Sequence, residues 1–590
     1  MPLYMRTLAI AALIAWFAAV AAASRQAPAS QANIDVIVVG AGLSGLTAAV
    51  DMGRAGVNVL VVDMNSVAGG HAVLAGGVAL VGTPVQERAG ITDSPDLAYR
   101  DWMDWTEDAD PEWTRFYVEN SRKMIYDWTT ELGVEFVRAG QADGNSVPRF
   151  HFTKGRALHL VMPIFRTALA LPSVSFLWNA RAERLVVNGG RVEGVVVRHL
   201  RTGSVDTLRA KTTVLATGGF ESDLKRVLAN WTPRLPRPDS LLIGSAISAT
   251  GSGHDLATTA GAAMSRIDRH YIYIDGMVDP RDPLGTHALT AGNDSSIWVN
   301  AQGQRFTNEH GFDKAILADL VKQKPSTYWM IFDEETKGDF GVRGAAWLSN
   351  PAGHQLLDNP KAVSKANTID ALAMTAGLPP QALADTVRRY NGMIEDLEDA
   401  DFRRFQPGDL RPPRIRTPPF YAVRMYPMTR KNMGGVAIDR QARVLNQQGQ
   451  VVPGLYAVGE LTGSVGINGS HGLDGLFLGP AILTGRLAGL SLAATYGQRG
   501  SSSARVTPAS PPTSAATSAA TSALPARTVD SLTPLLAKKR DGYWHFEMAH
   551  GIVRERGYAC TRCHSTDVPF SLPATTPQRV AQIEICANCH

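Results

Sequence analysis

Cysteine is almost absent. The 590 residues include four, and all of them, Cys560, Cys563, Cys586 and Cys589, stand close to the C-terminus. The long body that precedes Cys560 therefore holds together without a disulfide. An excess of one charge is lacking as well: 58 Lys and Arg stand against 54 Asp and Glu, a net charge of +4. That balance gives no electrostatic reason to expect nucleic acid or an anionic membrane as a partner. Long apolar runs are confined to the start. Arg6, the uncharged run Thr7–Val20 and the small residues Ala21-Ala22-Ala23 follow in the order of a secretory signal. Residues 1–23 are expected to be a signal peptide cleaved before Ser24, with a retained N-terminal anchor as the alternative. No twin-arginine pair is present, which favours the general secretory route and a periplasmic location. The run is shorter than the roughly 20 apolar residues that span a bilayer, and no later segment is long enough, so no stable membrane insertion is expected after cleavage. No internal repeat is evident.

What is present begins with a βαβ unit. IDVIVVG (Ile34–Gly40) is a β-branched run suited to a buried parallel strand. LSGLTAAVDMGRAG (Leu43–Gly56) has helical periodicity, and VNVLVVD (Val57–Asp63) reads as a second buried strand. Gly40, Gly42 and Gly45 form GxGxxG in the first turn, with Ala41 and Ser44 between them. The first glycine permits the tight turn, the second lets a pyrophosphate approach the backbone, and the third lets helix and strand pack closely. Asp63, with Met64 beside it, ends the second strand where a carboxylate can bond a ribose hydroxyl. The unit predicts a dinucleotide with an unphosphorylated ribose, FAD or NAD.

The segments that follow choose between the two. Gly69-Gly70-His71-Ala72 with Gly76-Gly77, Ala216-Thr217-Gly218-Gly219, ATGSGHDLA (Ala249–Ala257), VNAQGQRFTNE (Val299–Glu309), NMGGVAID (Asn432–Asp439) and VPGLYAVGELTG (Val452–Gly463) occur in that order. Gly69–Gly77, Ala216–Gly219 and Gly459-Glu460 resemble successive flavin-contacting segments of the fumarate reductase and succinate dehydrogenase flavoprotein family, which also includes flavocytochromes c, urocanate reductase and ketosteroid dehydrogenases, and the other stretches are further matches to that family. The resemblance implies FAD, with Gly459 and Glu460 at the flavin. It also implies a closing helix over Gly472–Gly489 whose N-terminus faces the flavin, and a capping domain over the substrate. Non-covalent FAD is expected: His71 lies near where respiratory relatives attach the flavin, but one residue is missing before Gly76-Gly77.

The chain departs from the fumarate reductase pattern where that enzyme handles its substrate. Arg269-His270-Tyr271 stands near its His-Pro-Thr segment, Gly311-Phe312-Asp313 meets its arginine proton donor, Lys431 replaces a histidine, and GSHGLDG replaces NRLGG. A fumarate reductase is therefore not expected. The remaining candidates are Arg430 and Lys431, cations able to bind a carboxylate or polarise a carbonyl. His270, Tyr271 and Tyr273 are a second candidate, a proton-handling cluster; the plainer reading of these is a packed edge strand. His471 either caps the closing helix or touches substrate. Arg305 and Glu309 read as an ion pair that shapes the cap.

Residues 497–530, rich in Ser, Thr, Ala and Pro, cannot bury a core and are expected to be a flexible linker. Beyond it, Cys560-Thr561-Arg562-Cys563-His564 and Cys586-Ala587-Asn588-Cys589-His590 are both C-x-x-C-H. That spacing attaches c-type haem, with His564 and His590 as axial ligands. A four-cysteine zinc ribbon competes, but the adjacent histidines and the export signal favour two haem c groups. His545 and His550 are candidates for the sixth ligands, with Met548 as the alternative. Tyr543, Trp544 and Phe546 are expected to pack on the porphyrins.

The fold class expected is α/β. A Rossmann-like FAD-binding domain (34–265 and 429–496) carries an inserted α+β capping domain (266–428) and a small, mostly helical dihaem module (531–590). The function expected is an FAD-dependent oxidoreductase that exchanges a hydride with a small organic substrate. It passes electrons to or from a periplasmic or quinone-linked cytochrome. Loss of the reductase donor pattern favours a dehydrogenase. Respiratory reduction of a conjugated C=C bond, and a pure electron carrier with a degenerate flavin site, are the alternatives.

Overall fold

The computed structural model describes residues 34–343 and 355–497. The expected signal peptide, linker and haem motifs lie outside the described residues.

The chain enters on β1 (Val36–Val39), turns into α1 (Leu43–Arg54) and returns on β2 (Val59–Val62). All four residues of β1 are buried, because the sheet is covered on both faces. Two further strands, β3 (Val174–Leu177) and β4 (Thr212–Leu215), precede the cap. The cap holds β5 (His270–Val278), β6 (Ala288–Gly292), β7 (Ile297–Val299), α2 (Asp313–Leu320), β8 (Tyr328–Asp333), β9 (Gly341–Arg343), α3 (Pro380–Asp396) and most of the long β10 (Phe420–Asn432). The chain then returns through β11 (Arg443–Leu445) and β12 (Val451–Ala457) and ends on α4 (Leu478–Tyr496).

The first sheet has the order β11-β12-β4-β1-β2-β3, parallel except for the edge strand β11. Its strand ends at Gly40, Asp63, Ala216 and Val458 converge on one edge, where open α/β sheets bind their ligands. At that edge Gly40 has φ +113°, and a Cβ there would collide with the carbonyl oxygen of Ala216, so only glycine closes the turn. Helix α4 lies against α1 at glycine contacts: a Cβ on Gly489 would stand 2.8 Å from that of Asp51. The helix starts at Leu478, later than the expected Gly472, because the glycine-interrupted run before it forms turns, with Gly475 at φ +89°.

The cap sheet runs β7-β8-β10-β5-β6-β9. Alternation along β8 splits its core in two. Met330 and Phe332 pack on one face with Met277 and Val423; Trp329 and Ile331 face α3 through Leu383, Val387 and Tyr390. Strand β5, expected as an edge, lies inside the sheet between β6 and β10. Among the described residues, no helix is long and apolar enough to cross a membrane.

Arg305 and Glu309 shape the cap. The Arg305 guanidinium donates to both Glu309 oxygens at 2.7 Å and to both Asp399 oxygens at 3.0 and 2.8 Å, with 3% of its side chain exposed. Arg305→Met would leave two buried carboxylates facing one another. A loss of about 3–5 kcal/mol is expected, read as an early cap transition in thermal denaturation while FAD fluorescence still reports the first domain.

Candidate active site

A cavity opens at the convergent edge of the first sheet. Gly40, Gly42 and Ser44 line it from the first turn, Asp63 and Met64 from the end of β2, Gly69, Gly70 and His71 from the next loop, and Ala216, Thr217 and Gly218 from the end of β4. Lys431, Glu460, Phe477 and Leu478 close the far end. Apart from its immediate chain neighbours, no atom of the described residues lies within 4 Å of a Cβ built on Gly42 or Gly218, so bare backbone faces open space.

The Asp63 carboxylate accepts from the backbone N–H groups of Ala41 and Asn65, each at 2.7 Å. Burial nonetheless pushes the carboxyl up to about 6. Such a group gains from a hydroxyl donor.

At the other end of the cavity three ionisable side chains meet. Lys431 Nζ lies 2.9 Å from His71 Nδ1 and 3.9 Å from Glu460 Oε2. Glu460 Oε1 accepts from the backbone of Asn432, whose side chain accepts from the N–H of Phe220 at 2.6 Å. Burial opposes ionisation of Glu460, but Lys431 and then His71 outweigh it and hold the carboxyl down at about 2. Burial lowers Lys431 to about 8, with Glu460 opposing the shift. Arg430 points elsewhere. It donates to the carbonyl of Gly244 and lies over the Tyr273 ring, 5.3 Å from its centroid.

The expected cluster of His270, Tyr271 and Tyr273 divides, because adjacent residues of a strand face opposite ways. His270 turns inward, with Nδ1 2.9 Å from Glu221 Oε1 and Nε2 3.0 Å from the carbonyl of Asn230. The ring is thus held from both sides. Burial lowers its pKa, but the Glu221 carboxylate more than offsets this and raises it. His270 is a structural side chain tied to Glu221, and it does not line the cavity. Tyr271 and Tyr273 share the other face, and both hydroxyls donate to Asp474 Oδ1, at 3.2 and 3.4 Å. The Tyr271 ring stacks on Phe477 at 5.2 Å and 14°, which joins this cleft to the cavity. Asp313 and Asp143 act electrostatically on the same group. Asp313 is raised to about 6, first by burial and then by Asp474 and Asp143. His471 does not enter the cleft: its Nε2 pairs with Glu107 Oε1 at 3.0 Å.

The family described as "FAD binding domain" matches residues 35–478. The chain belongs to this family. It is an FAD-dependent oxidoreductase of the fumarate reductase and ketosteroid dehydrogenase type. It is 32% identical over 473 residues to "Fumarate reductase (cytochrome)" of Shewanella frigidimarina, spanning 78% of this chain and 77% of that protein. It is 30% identical over 540 residues to a KsdD-like steroid dehydrogenase of Mycobacterium tuberculosis, spanning 77% and 95%. Among solved structures, the open conformation of a flavocytochrome c3 fumarate reductase superposes with a TM-score of 0.66 at 28% identity, covering 80% of each chain. A 3-ketosteroid dehydrogenase of Rhodococcus jostii gives 0.59 at 27% identity, covering 80% of this chain and 99% of that one.

The cavity fits FAD. The glycine backbone of Gly40–Gly42 and the α1 N-terminus suit the pyrophosphate, Asp63 the ribose, and the end bounded by His71, Lys431 and Glu460 the isoalloxazine. Not every expected cofactor residue lines the cavity. Gly45 and Gly459 act by close packing, and the backbone N–H of Ala41 is spent on Asp63. Gly76 and Gly77 pack on Phe150 and His151 instead, Gly76 with a Cβ contact of 3.3 Å to the Phe150 ring. Lys431 lies on the cavity wall, as a cofactor neighbour. Ser248, Ala249 and Ser252 also line the cavity. They belong to the matched ATGSGHDLA stretch and its approach, which was read as a family signature and not as a wall. The acids Asp143, Asp313 and Asp474 come from three distant segments and carry no local pattern.

Asp63→Ala is expected to weaken FAD binding without unfolding the domain. Losing a buried partner costs about 1–3 kcal/mol, or roughly 5- to 150-fold in dissociation constant. FAD retention after dialysis, read by absorbance, checks this.

Proposed function

We propose that this flavoenzyme is an exported dehydrogenase that introduces a C=C bond into an uncharged, carbonyl-bearing organic substrate and sends the electrons out through two c-type haems. The observation that carries the reading is the Tyr271–Tyr273–Asp474 arrangement on the flavin side of the cap. Burial and then Asp474 raise both phenols, so they stay protonated at neutral pH and serve as donors. The carboxylate between them is the group able to accept a proton. A dicarboxylate would meet Asp474, Asp313 and Asp143 and be repelled; an uncharged ring system with a carbonyl would not. The steroid dehydrogenase relative supports this substrate class.

Bound FAD supplies a hydride acceptor and releases the two electrons one at a time. The protein does the rest. Phe477 and Tyr271 position the substrate by stacking, and one tyrosine hydroxyl turns to the substrate carbonyl to acidify the neighbouring C–H. Asp474 takes the proton that leaves that carbon, while the hydride leaves the adjacent one. The cysteines of both C-x-x-C-H motifs would hold the haems, and His564, His590, His545 and His550 would be the candidate iron ligands that let them carry single electrons. A periplasmic or quinone-linked cytochrome would take the electrons.

The test is an anaerobic panel. Oxidised holoprotein mixed with a saturated 3-ketosteroid is expected to bleach its flavin and yield the unsaturated product by mass spectrometry. Fumarate added to the reduced protein is expected to leave it reduced. Rapid reoxidation by fumarate, with no response to ketones, would reverse the reading to a respiratory reductase.

A further inference from the structure

His71 faces the flavin cavity with a nitrogen that no partner satisfies among the described residues. Its Nδ1 lies 2.9 Å from Lys431 Nζ. An ammonium has donors only, so Nδ1 accepts and the ring proton sits on Nε2. That Nε2 is buried without a partner among the described residues, while the side chain is only 10% exposed and lines the cavity. A buried N–H donor aimed into a ligand cavity costs free energy until a ligand accepts from it.

The charges around the ring are nearly balanced. Lys431 and Arg430 oppose a second proton on His71, and Glu460, with Oε2 3.7 Å from Nδ1, favours it. Glu221 bears on Lys431 and Glu460 from behind. With the cavity otherwise uncharged, burial and then Lys431 hold the ring neutral, near a pKa of about 4. A negative charge arriving beside Nε2 would change that balance, because Coulomb energies are large where water is excluded.

We propose that His71 is a redox-linked proton acceptor: its Nε2–H donates to the bound flavin, and its Nδ1 takes up one proton, relayed by Lys431, when two electrons enter the cavity. The balance is simple. Lys431 passes a proton along its hydrogen bond to Nδ1, forming an imidazolium, and a proton from bulk water restores the ammonium. The net change is one proton taken from solvent for two electrons from the substrate, beyond any the flavin itself binds. Glu460 stays ionised and keeps the two cations in place. Neither residue is thereby a substrate-touching acid; both are positioning residues for charge in the cavity. The inference rests on FAD binding alone and holds for any substrate.

The test is spectroelectrochemical titration of the flavin in the full holoprotein, without substrate, across about pH 6 to 8. Each further proton per two electrons steepens the fall of the midpoint by about 30 mV per pH unit. His71→Gln keeps a donor but cannot titrate, and Lys431→Met removes the relay. Both are expected to lose that increment relative to the unsubstituted protein, with FAD still bound. Equal slopes in all three proteins would overturn the proposal. A loss in H71Q but not in K431M would overturn the relay. Should H71Q release its flavin, the unsubstituted protein decides by 15N NMR of labelled histidines. One ring is expected to become imidazolium on reduction at neutral pH, and no such ring would contradict the assignment.

Discussion

Removal of residues 531–590 is expected to leave the flavin half-reaction at its full rate and to abolish turnover with a cytochrome. The described residues, 34–343 and 355–497, include the lining of the flavin cavity, most of the cap and the Tyr271–Tyr273–Asp474 cleft. The residues assigned to the proposed oxidation all lie among them. The four cysteines, by contrast, all lie in the removed segment, and with them both C-x-x-C-H motifs. Anaerobic stopped-flow on the truncated protein, beside steady-state turnover with a cytochrome acceptor, separates the two functions. A lost flavin half-reaction with FAD still bound would make the module part of the active site. Undiminished cytochrome turnover would mean that the flavin meets its partner directly.

Asp474→Asn is expected to slow flavin reduction by substrate about 10²- to 10⁴-fold, the range for loss of a positioned general base. The substitution keeps the shape of the side chain and still accepts from Tyr271 and Tyr273 through its carbonyl oxygen, so FAD content and melting temperature are expected to be unchanged. The tyrosines cannot replace it, since their phenols are raised by burial and the surrounding acids. Tyr271→Phe removes a donor but leaves the base, and a smaller loss is expected. Equal losses for D474N and Y271F would move the base from the carboxylate to the phenol. Unchanged reduction by D474N would remove this cleft from the chemistry.

The parts of the fold that local chemistry dictates were legible in the sequence. The run VIVV, the GxGxxG turn and the acid after VLVV each serve a neighbour within about one βαβ unit, and their order alone predicts the first domain. The site was less legible, for reasons particular to its residues. His270 and Tyr271 look like a cluster when adjacent, yet strand alternation sends them to opposite faces, one to Glu221 and one to Asp474. His71 and Lys431 are 360 residues apart, and no periodicity links them. Gly76 and Gly77 match a flavin signature in composition, but Phe150 and His151 occupy the space beside them. Asp474 was hidden inside an expected helix that begins only at Leu478. Asp143 and Asp313 join it from segments far away in the sequence, Asp313 from the cap.

The order of electron arrival tests the account most directly. Oxidised full-length holoprotein is mixed anaerobically with the active substrate, and flavin and haem absorbance are followed together. Flavin bleaching is expected first, with haem reduction following from the flavin and two haems reduced for each substrate oxidised. Haem reduction that precedes or bypasses the flavin, or a protein whose haems stay oxidised while the flavin is fully reduced, would contradict it.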